Sequence, residues 1–418
     1  MHAIEKILAR AAGKEKVKTG EIVNCRVDLA GVNDIYLQTV RSFYEMGGKR
    51  VHNPEKITFF MDHYAPPSTI QQAENQKQMR TFCREQGIEK FFDVDQGVCH
   101  QVLVDRGLVY PGMILVVTDS HATTHGAFGV FGTGVGATDL AVIMITGQLW
   151  FRVPEVLRLH LSGNLRRGVF AKDVILRIIG DLGADYGVYK AIEFTGPLLE
   201  HLGPSERMTL CNMTTEMGAK TSFIQPDDVT RNYLKNRVRH GFEIVASDPG
   251  YAYAAEHSYD FSNLEPQLAA PHSVDQVVPI SKVLGTPVQQ AFLGTCTGGR
   301  ADDLSVAARI LKGKKIHGGT RFIVVPASKD VLLQAMARGD MQALVEAGAT
   351  FVTPGCAACL GTHEGILASG ETCITASSRN FPGRMGHPRA EIYVGSPASV
   401  AAAALEGKIV DPGDYVER

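Results

Sequence analysis

The stretch Ile114-Leu115-Val116-Val117-Thr118-Asp119-Ser120-His121 shows most clearly how this chain folds. Its first five residues form an apolar, β-branched run, which predicts a buried strand over 114–118. The polar triplet Asp119-Ser120-His121 comes directly after that run. Strands buried on both faces are typical of parallel sheets, and ligands bind at the carboxyl ends of such strands. The stretch therefore predicts an α/β fold with a site at one sheet edge.

The same pattern recurs along the chain, with helix-like segments between the strands. Six further short apolar runs predict buried strands, over 57–61, 289–293, 321–325, 351–353, 373–376 and 392–394. Chemically reactive side chains follow four of these runs: Asp62-His63, Cys296, the pair Cys356 and Cys359, and Arg379. We expect these side chains to share one cleft.

Composition indicates how the chain is divided. Soft boundaries lie near Val153-Pro154 and within 265–271, where proline and polar residues interrupt the apolar pattern. With 418 residues the chain is long enough for more than one core. We expect three α/β domains, over residues 1–155, 156–272 and 273–418.

The overall charge excludes some classes of partner. The chain has 42 Lys plus Arg against 44 Asp plus Glu, a net charge of -2, so it lacks the field that attracts nucleic acid or a membrane surface. No apolar run approaches the roughly 20 residues that span a bilayer. We expect a soluble, cytoplasmic protein with a small-molecule partner.

Eight cysteines are too few for a disulfide scaffold, so the spacing of the clustered ones matters. Cys356-Ala-Ala-Cys359 fits a redox pair, half of a zinc site or part of an iron-sulfur site. Cys296 lies in a second loop of small residues. Three thiolates without a fourth at short spacing favour an iron-sulfur cluster with one open iron, with zinc and unrelated cysteines as alternatives. The other five are interpreted as core residues: Cys25, Cys83, Cys99, Cys211 and Cys373.

Acid-base chemistry is indicated by Asp62-His63, His100 and Asp119-Ser120-His121, because a carboxylate bonded to an imidazole fixes its tautomer and keeps it basic. For each histidine taken singly, a structural role is an equal alternative. Sequence neighbours cannot form a Ser-His-Asp relay, so the triplet does not indicate a protease.

Two further loops complete the pattern, one rich in glycine and the other containing two arginines. The glycines of 126–136 precede an apolar helix starting near Thr138, but their register does not fit a nucleotide loop, and tight packing explains them better. Arg379 and Arg384 occur in one short loop, which suits two-pronged binding of carboxylates; surface ion pairing is the alternative.

In their order and spacing these motifs resemble the aconitase superfamily, and within it the large subunits of 3-isopropylmalate dehydratase and homoaconitase. The resemblance runs from the first helix to about Pro412. It rests on these stretches: 27–29, 62–63, 119–129, 152–155, 193–197, 211–213, 218–221, the three clustered cysteines and 379–384.

The resemblance implies an aconitase-like fold around a 4Fe-4S cluster held by Cys296, Cys356 and Cys359, with Asn212 close to the cluster. The cluster's open iron would bind the substrate hydroxyl as a Lewis acid. The implied catalytic groups are three carboxylate-imidazole pairs: Asp62 with His63, Asp119 with His100, and Glu216 with His121. The implied substrate contacts are Asn33, Ser120, Arg379 and Arg384.

The implied activity is dehydration and rehydration of a hydroxy di- or tricarboxylic acid. We favour 3-isopropylmalate, as in leucine biosynthesis, with homoaconitase or a dimethylmalate-type dehydratase as alternatives. A non-catalytic metal-binding or redox module is the alternative from a different class. In full-length aconitases the base is a serine on a C-terminal swivelling domain. This chain is expected to lack that domain, so a small subunit would supply the base in a heterodimer.

Three departures from the family pattern bear on substrate choice. Gly298 stands where asparagine usually follows Cys-Thr, and Ala122 stands where threonine usually follows Asp-Ser-His. The segment 33–38 also differs from the usual His-Asp-Gly-Thr or His-Glu. The proposed ligands are kept, so the reaction class is unaffected.

Overall fold

The first sheet is built from apolar strands buried on both faces. The structure, a computed structural model, describes residues 1–416. Five parallel strands lie in the order β4-β3-β2-β5-β6, while β1 and β7 form a separate antiparallel pair. The elements of this part are α1 (Ala3–Ala11), β1 (Ile22–Arg26), β2 (Leu29–Asn33), α2 (Gln38–Glu45), β3 (Ile57–Phe60), α3 (Ile70–Gln86), β4 (Phe91–Phe92), α4 (Cys99–Asp105), β5 (Ile114–Val117), β6 (Phe131–Gly134), α5 (Ala137–Thr146) and β7 (Gln148–Arg152).

The middle of the chain forms a second, smaller parallel sheet in the order β10-β9-β8-β11. Its helices cover the apolar strands, and α6 buries most of its length against them. The elements are β8 (Val156–Ser162), α6 (Ala171–Leu182), β9 (Ala191–Thr195), α7 (Pro204–Met213), β10 (Thr221–Ile224), α8 (Asp228–Leu234) and β11 (Ala255–Asp260).

The last sheet has seven strands in the order β13-β12-β18-β17-β14-β15-β16. All pairings are parallel except those that β12 makes with β13 and β18. The elements are β12 (Gln267–Ala269), β13 (Val277–Pro279), β14 (Gln290–Gly294), α9 (Ala301–Leu311), β15 (Arg321–Val325), α10 (Lys329–Arg338), α11 (Asp340–Ala347), β16 (Thr350–Phe351), β17 (Thr372–Thr375), β18 (Glu391–Val394) and α12 (Pro397–Glu406).

The predicted α/β class is confirmed, and each of the seven predicted strands overlaps a strand of the structure, namely β3, β5, β14, β15, β16, β17 and β18. The apolar helix expected near Thr138 is α5. The domain boundaries at 155 and 272 stay a prediction. Among the described residues, the helices are too short or too polar to cross a bilayer.

Candidate active site

The first part of the site follows β3. His63 Nδ1 lies 2.8 Å from Asp62 Oδ1 and 3.6 Å from Asp34 Oδ1, and all three side chains are buried. Asp62 also accepts two hydrogen bonds of 2.9 Å from the Asn33 amide and one of 2.9 Å from the backbone N–H of Cys99. The predicted Asp62 and His63 are therefore in contact, with the carboxylate held in one orientation.

The charge of His63 is set by these neighbours. Burial disfavours the imidazolium, but the carboxylates of Asp62 and Asp34 raise the pKa of His63 well above its ordinary value. Burial likewise opposes ionisation of Asp34, whose pKa is nevertheless lowered by hydrogen bonds and charge from His63. With Nδ1 engaged by carboxylate, His63 has only Nε2 from which to give a proton to a ligand.

Asp119, after β5, lies among three imidazoles. Its Oδ1 is 3.2 Å from His100 Nε2 and 3.3 Å from His121 Nδ1, and its Oδ2 is 3.7 Å from His63 Nε2. The His100 approach is close, but its angles fall outside those of a hydrogen bond. Asp119 also caps the 3-10 segment Ser120–Phe128 by accepting the N–H of His121 at 2.8 Å. Burial opposes its charge, yet the histidines hold the pKa of Asp119 well below the ordinary value.

Glu216 comes from the middle of the chain, in the 3-10 turn Thr214–Met217 after α7. Its Oε1 lies 2.9 Å from His121 Nε2, and Arg379 Nε donates to both of its carboxylate oxygens at 2.8 and 3.0 Å. Arg379 Nη2 also donates to Ser120 Oγ at 2.9 Å. The third predicted pair and one predicted substrate arginine thus form one network.

The pKa values of this network follow from burial and charge. Burial and the nearby Arg379 charge lower the pKa of His121, but Asp119 and Glu216 outweigh them and the net pKa is raised. Burial raises the pKa of Glu216, whereas His121 and Arg379 bring it below the ordinary value. Glu216 is therefore an anion that orients both the His121 ring and the Arg379 guanidinium.

The three clustered cysteines follow strands of the seven-stranded sheet. Cys296 follows β14, and Cys356 and Cys359 follow β16. The Asn212 amide donates to Cys296 Sγ at 3.3 Å, and Arg384 Nη2 lies 3.7 Å from Cys359 Sγ. The backbone N–H of Cys356 donates to the carbonyl of Asp62 at 2.7 Å, which joins the cysteine loop to the histidine loop.

Both cysteine loops contain left-handed backbone at non-glycine residues. Thr295, just before Cys296, has φ 66°, and Ala357, just after Cys356, has φ 46°. Such residues cost about 1–3 kcal/mol each and occur where the surroundings or a ligand demand a particular backbone path. The strain lies beside the proposed ligands.

The clustered cysteine thiols differ in how readily they ionise. A hydrogen bond from Cys356 lowers the pKa of the Cys359 thiol well below its ordinary value, and the Arg384 guanidinium adds to this effect against the opposing effect of burial. Burial raises the pKa of Cys296 to about 11. The two-cysteine loop therefore already favours a thiolate.

The departure at Gly298 has a packing reason. A Cβ on Gly298 would lie 2.2 Å from the Cβ of Ala376 and 2.8 Å from its carbonyl oxygen. Thr297 Oγ1 donates to the same carbonyl at 2.9 Å. The loop of Cys296 is thus pressed against the chain that leads to Arg379, and an asparagine at 298 would force them apart.

The structure brings all the predicted site residues to the carboxyl ends of the strands or to the adjoining helices. Asn33 is fully buried and bonded to Asp62 and Thr118, so its expected contact with substrate stays a prediction. The roles of the other predicted site residues also stay predictions. The five cysteines interpreted as core residues are all buried.

Sequence reasoning missed several residues of this site. Asp34 follows β2 as Asp62 follows β3, and that parallel is the signal that would have found it. Ser378 Oγ lies 3.0 Å from His121 Nε2, one residue before Arg379. Donor atoms of Cys99, His100 and Asp119 all lie within 4.8 Å of one another, so Cys99 borders the site as well as the core. His125 is also fully buried beside His100.

A family comparison agrees with this geometry. The family model described as "Aconitase family (aconitate hydratase)" matches residues 5–287 and 281–407. The chain belongs to the aconitase family. The resemblance drawn from the motifs is confirmed.

Within the aconitase family, similar proteins match over almost the whole chain. A Methanopyrus kandleri protein named "3-isopropylmalate dehydratase large subunit 1" is 49% identical over 99% of both chains. A Methanothermobacter thermautotrophicus protein named "Probable methanogen homoaconitase large subunit" is 46% identical over 99% of this chain and 97% of its own. The crystal structure of Thermococcus kodakaraensis aconitase X matches with a TM-score of 0.50 at 11% identity, over 90% of each chain. This last likeness concerns the fold and confirms the aconitase-like class.

Proposed function

We propose that this chain is the large, catalytic subunit of a 4Fe-4S hydro-lyase that dehydrates and rehydrates 3-isopropylmalate. The observation that carries the proposal is that two cysteine loops and the carboxylate-imidazole pairs lie at the carboxyl ends of strands from two sheets, with Arg379 on Glu216 and Arg384 beside Cys359. The names of two relatives that are 49% and 47% identical to this chain support the substrate.

The cysteines fit such a cluster. Thiolates are the ligands that iron-sulfur clusters take. The N–H donors that Asn212 and Arg384 direct at the sulfurs of Cys296 and Cys359 support such a cluster.

Cys296, Cys356 and Cys359 would hold this cluster. When bound, it supplies an iron with an open position that acts as a Lewis acid toward the substrate hydroxyl and a carboxylate. The fourth site needs no protein ligand.

The remaining residues would bind the substrate and move protons. Arg379 and Arg384 grip carboxylates, and Ser120 at the exposed mouth of the site adds a hydroxyl. His63 holds a proton on Nε2 and gives it to the leaving hydroxyl, which departs as water; such general acid catalysis is worth roughly 10²–10⁴-fold. Asp119 at 3.7 Å stabilises the protonated ring until transfer.

The proton α to the carboxylate would be removed by a base on a separate small subunit, in a heterodimer. This part of the proposal rests on the resemblance and on the relatives' names as large subunits. A homoaconitase large subunit is the second candidate, because proteins so named are 46% and 49% identical to this chain.

The test is anaerobic reconstitution with iron and sulfide, followed by assays with and without the cognate small subunit. The lone chain should be inactive, and the pair should form an ultraviolet-absorbing unsaturated acid from 3-isopropylmalate faster than from homocitrate, citrate or dimethylmalate. Turnover by the lone chain would overturn the two-subunit proposal. Preference for homocitrate would move the assignment to homoaconitase, and zinc in place of iron would overturn the reaction class.

A further inference from the structure

A group of buried polar atoms lies behind the carboxylate-imidazole pairs. Eight side-chain atoms there have no hydrogen-bond partner among residues 1–416: both ring nitrogens of His100 and of His125, Asn212 Oδ1, Thr295 Oγ1, and Nε and Nη2 of Arg300. Each of these five side chains is at most 2% exposed. Native proteins seldom leave so many buried donors and acceptors unpaired, because each costs about 1–3 kcal/mol.

These atoms belong to elements that pack on one another. The rings of His100 and His125 have centroids 5.6 Å apart at an angle of 57°. Asn212 Nδ2 donates to Thr124 Oγ1 at 2.7 Å, beside His125. Arg300 Nη1 donates to Thr209 Oγ1 at 2.8 Å, on the same helix as Asn212. The atoms are therefore neighbours in one interior region and not scattered defects.

The donors and acceptors in this region complement each other. Burial, together with the Arg300 charge, holds the pKa of His125 well below its ordinary value, so its ring is neutral. A neutral imidazole offers one donor and one acceptor. Arg300 offers donors only, and Asn212 Oδ1 accepts only. Such a set is satisfied by ordered water, each molecule of which makes about three hydrogen bonds.

We propose that His125 is a positioning residue for the His100–Asp119 pair and acts through a buried hydrogen-bonded water network that extends to Asn212 and Arg300. A donor from this network at His100 Nδ1 places the ring proton on Nε2, where Asp119 Oδ1 lies 3.2 Å away. His125 keeps the hydrogen bonds of the network running in the direction that donates to His100.

The network predicts a result that is independent of activity. A crystal structure of the reconstituted protein at about 1.5 Å should show ordered water within about 3.2 Å of a ring nitrogen of His125 and of Arg300. Dry packing around both His125 nitrogens would overturn the proposal, whether or not the dehydratase assignment holds.

The kinetic arm rests on the proposed function and uses the reconstituted two-subunit enzyme. His125→Phe fills the space without hydrogen-bonding atoms and should lower kcat about 10–100-fold, the range for groups that orient a catalytic residue. KM and the cluster absorbance should change little. His125→Gln keeps a donor and an acceptor and should recover most of kcat.

His2→Phe is the matched control, since His2 is also fully buried but pairs with Glu193 near the first helix. It should leave kcat unchanged even where it lowers Tm. The proposal would be wrong if His125→Gln and His125→Phe lost kcat equally, or if the loss of kcat in each variant paralleled its fall in Tm. His125 would then be a packing residue. An inactive wild type would instead count against the proposed function, leaving the crystallographic result to decide the network.

Discussion

Arg379 donates through Nε to both carboxylate oxygens of Glu216, at 2.8 and 3.0 Å. Its Nη2 bonds Ser120 at 2.9 Å in the same orientation. The guanidinium plane is therefore fixed by this chain before any ligand binds, and Glu216 is shared between it and His121. This preorganisation has a direct kinetic consequence.

Arg379→Lys should lower kcat/KM by about 10–100-fold, the equivalent of about 1.5–3 kcal/mol for a charge-assisted hydrogen bond. A lysine ammonium is one compact charge and cannot reproduce the planar, spread donors with which Arg379 reaches Glu216, Ser120 and a carboxylate. Steady-state kinetics of the reconstituted enzyme provide the measurement. The exposed pair of Arg177 with Asp181 offers the control Arg177→Lys, and wild-type kinetics in both variants would make the 379 loop structural.

Cys296→Ser, Cys356→Ser and Cys359→Ser should each lose the visible absorbance of the proposed cluster together with activity, because each thiolate would hold one iron. Cys25→Ser and Cys83→Ser should keep both, since these thiols lie in the core and burial raises the pKa of each to about 12. Iron and sulfide analysis checks the result. A full cluster in Cys359→Ser would disprove the ligand assignment.

Arg384 should act on both cluster and substrate, and two variants separate the effects. Arg384→Lys keeps a positive charge near Cys359, so the cluster should stay while turnover falls. Arg384→Gln removes that charge, so the pKa of Cys359 should rise and the cluster should be lost faster to a chelator. The decay of the visible absorbance measures this rate. Equal decay in both variants would show that the guanidinium charge does not stabilise the thiolate.

His63 should remain protonated through pH 7. The alkaline limb of the pH profile of kcat should therefore lie well above about 6.5, the ordinary pKa of histidine. The stabilising charge interaction of His63 is complete below about pH 6.5 and is lost as the pH rises through the folded-state pKa. Asp34→Asn removes one of the two carboxylates and should move the limb to lower pH.

The control for that pH profile is Asp248→Asn, which alters an exposed carboxylate paired with Lys6. Its limb should coincide with that of the wild type. An unmoved limb in Asp34→Asn would mean that His63 is not the titrating acid.

Lys172 ties the middle of the chain to the arginine loop. Its buried ammonium donates to the carbonyls of Ala376 and Ser377 at 2.9 and 2.8 Å, and burial lowers its pKa to about 8. Lys172→Met removes a donor from both carbonyls: the Ala376 carbonyl keeps the Thr297 hydroxyl, whereas the Ser377 carbonyl loses this partner, at a cost of about 1–3 kcal/mol. Tm should fall, and KM should rise because Arg379 is displaced. An unchanged KM would show that Lys172 contributes to stability alone.

How far the sequence predicted the fold depended on the environment of each strand. Buried parallel strands such as β3 and β5 are continuous apolar runs and were predicted. β2 was missed because Gly31 weakens its apolar pattern; a Cβ there would lie 3.2 Å from the Phe60 ring. β11 was missed because it is an edge strand with alternating exposure and polar residues.

The site was predicted unevenly for a similar reason. Residues directly after apolar runs, such as Asp62 and Asp119, follow from local pattern. Glu216 is 95 positions from His121, so their contact came only through the family resemblance. His125 lies in the stretch 119–129 that carries the family resemblance, but no role was assigned to it, because a fully buried histidine differs from other core residues only through partners that the fold brings to it.

The placement of the cysteines bears on how the parts of the site are connected. All three follow strands of the seven-stranded sheet, whereas His63 and Asp119 follow strands of the five-stranded sheet and Glu216 comes from the middle of the chain. On the proposed function, the ligands of the cluster therefore come from one sheet and the acid-base groups from elsewhere. The backbone bond from Cys356 to Asp62 joins the two parts at 2.7 Å, so a distortion of the loop after β3 should reach the cysteines as well as His63.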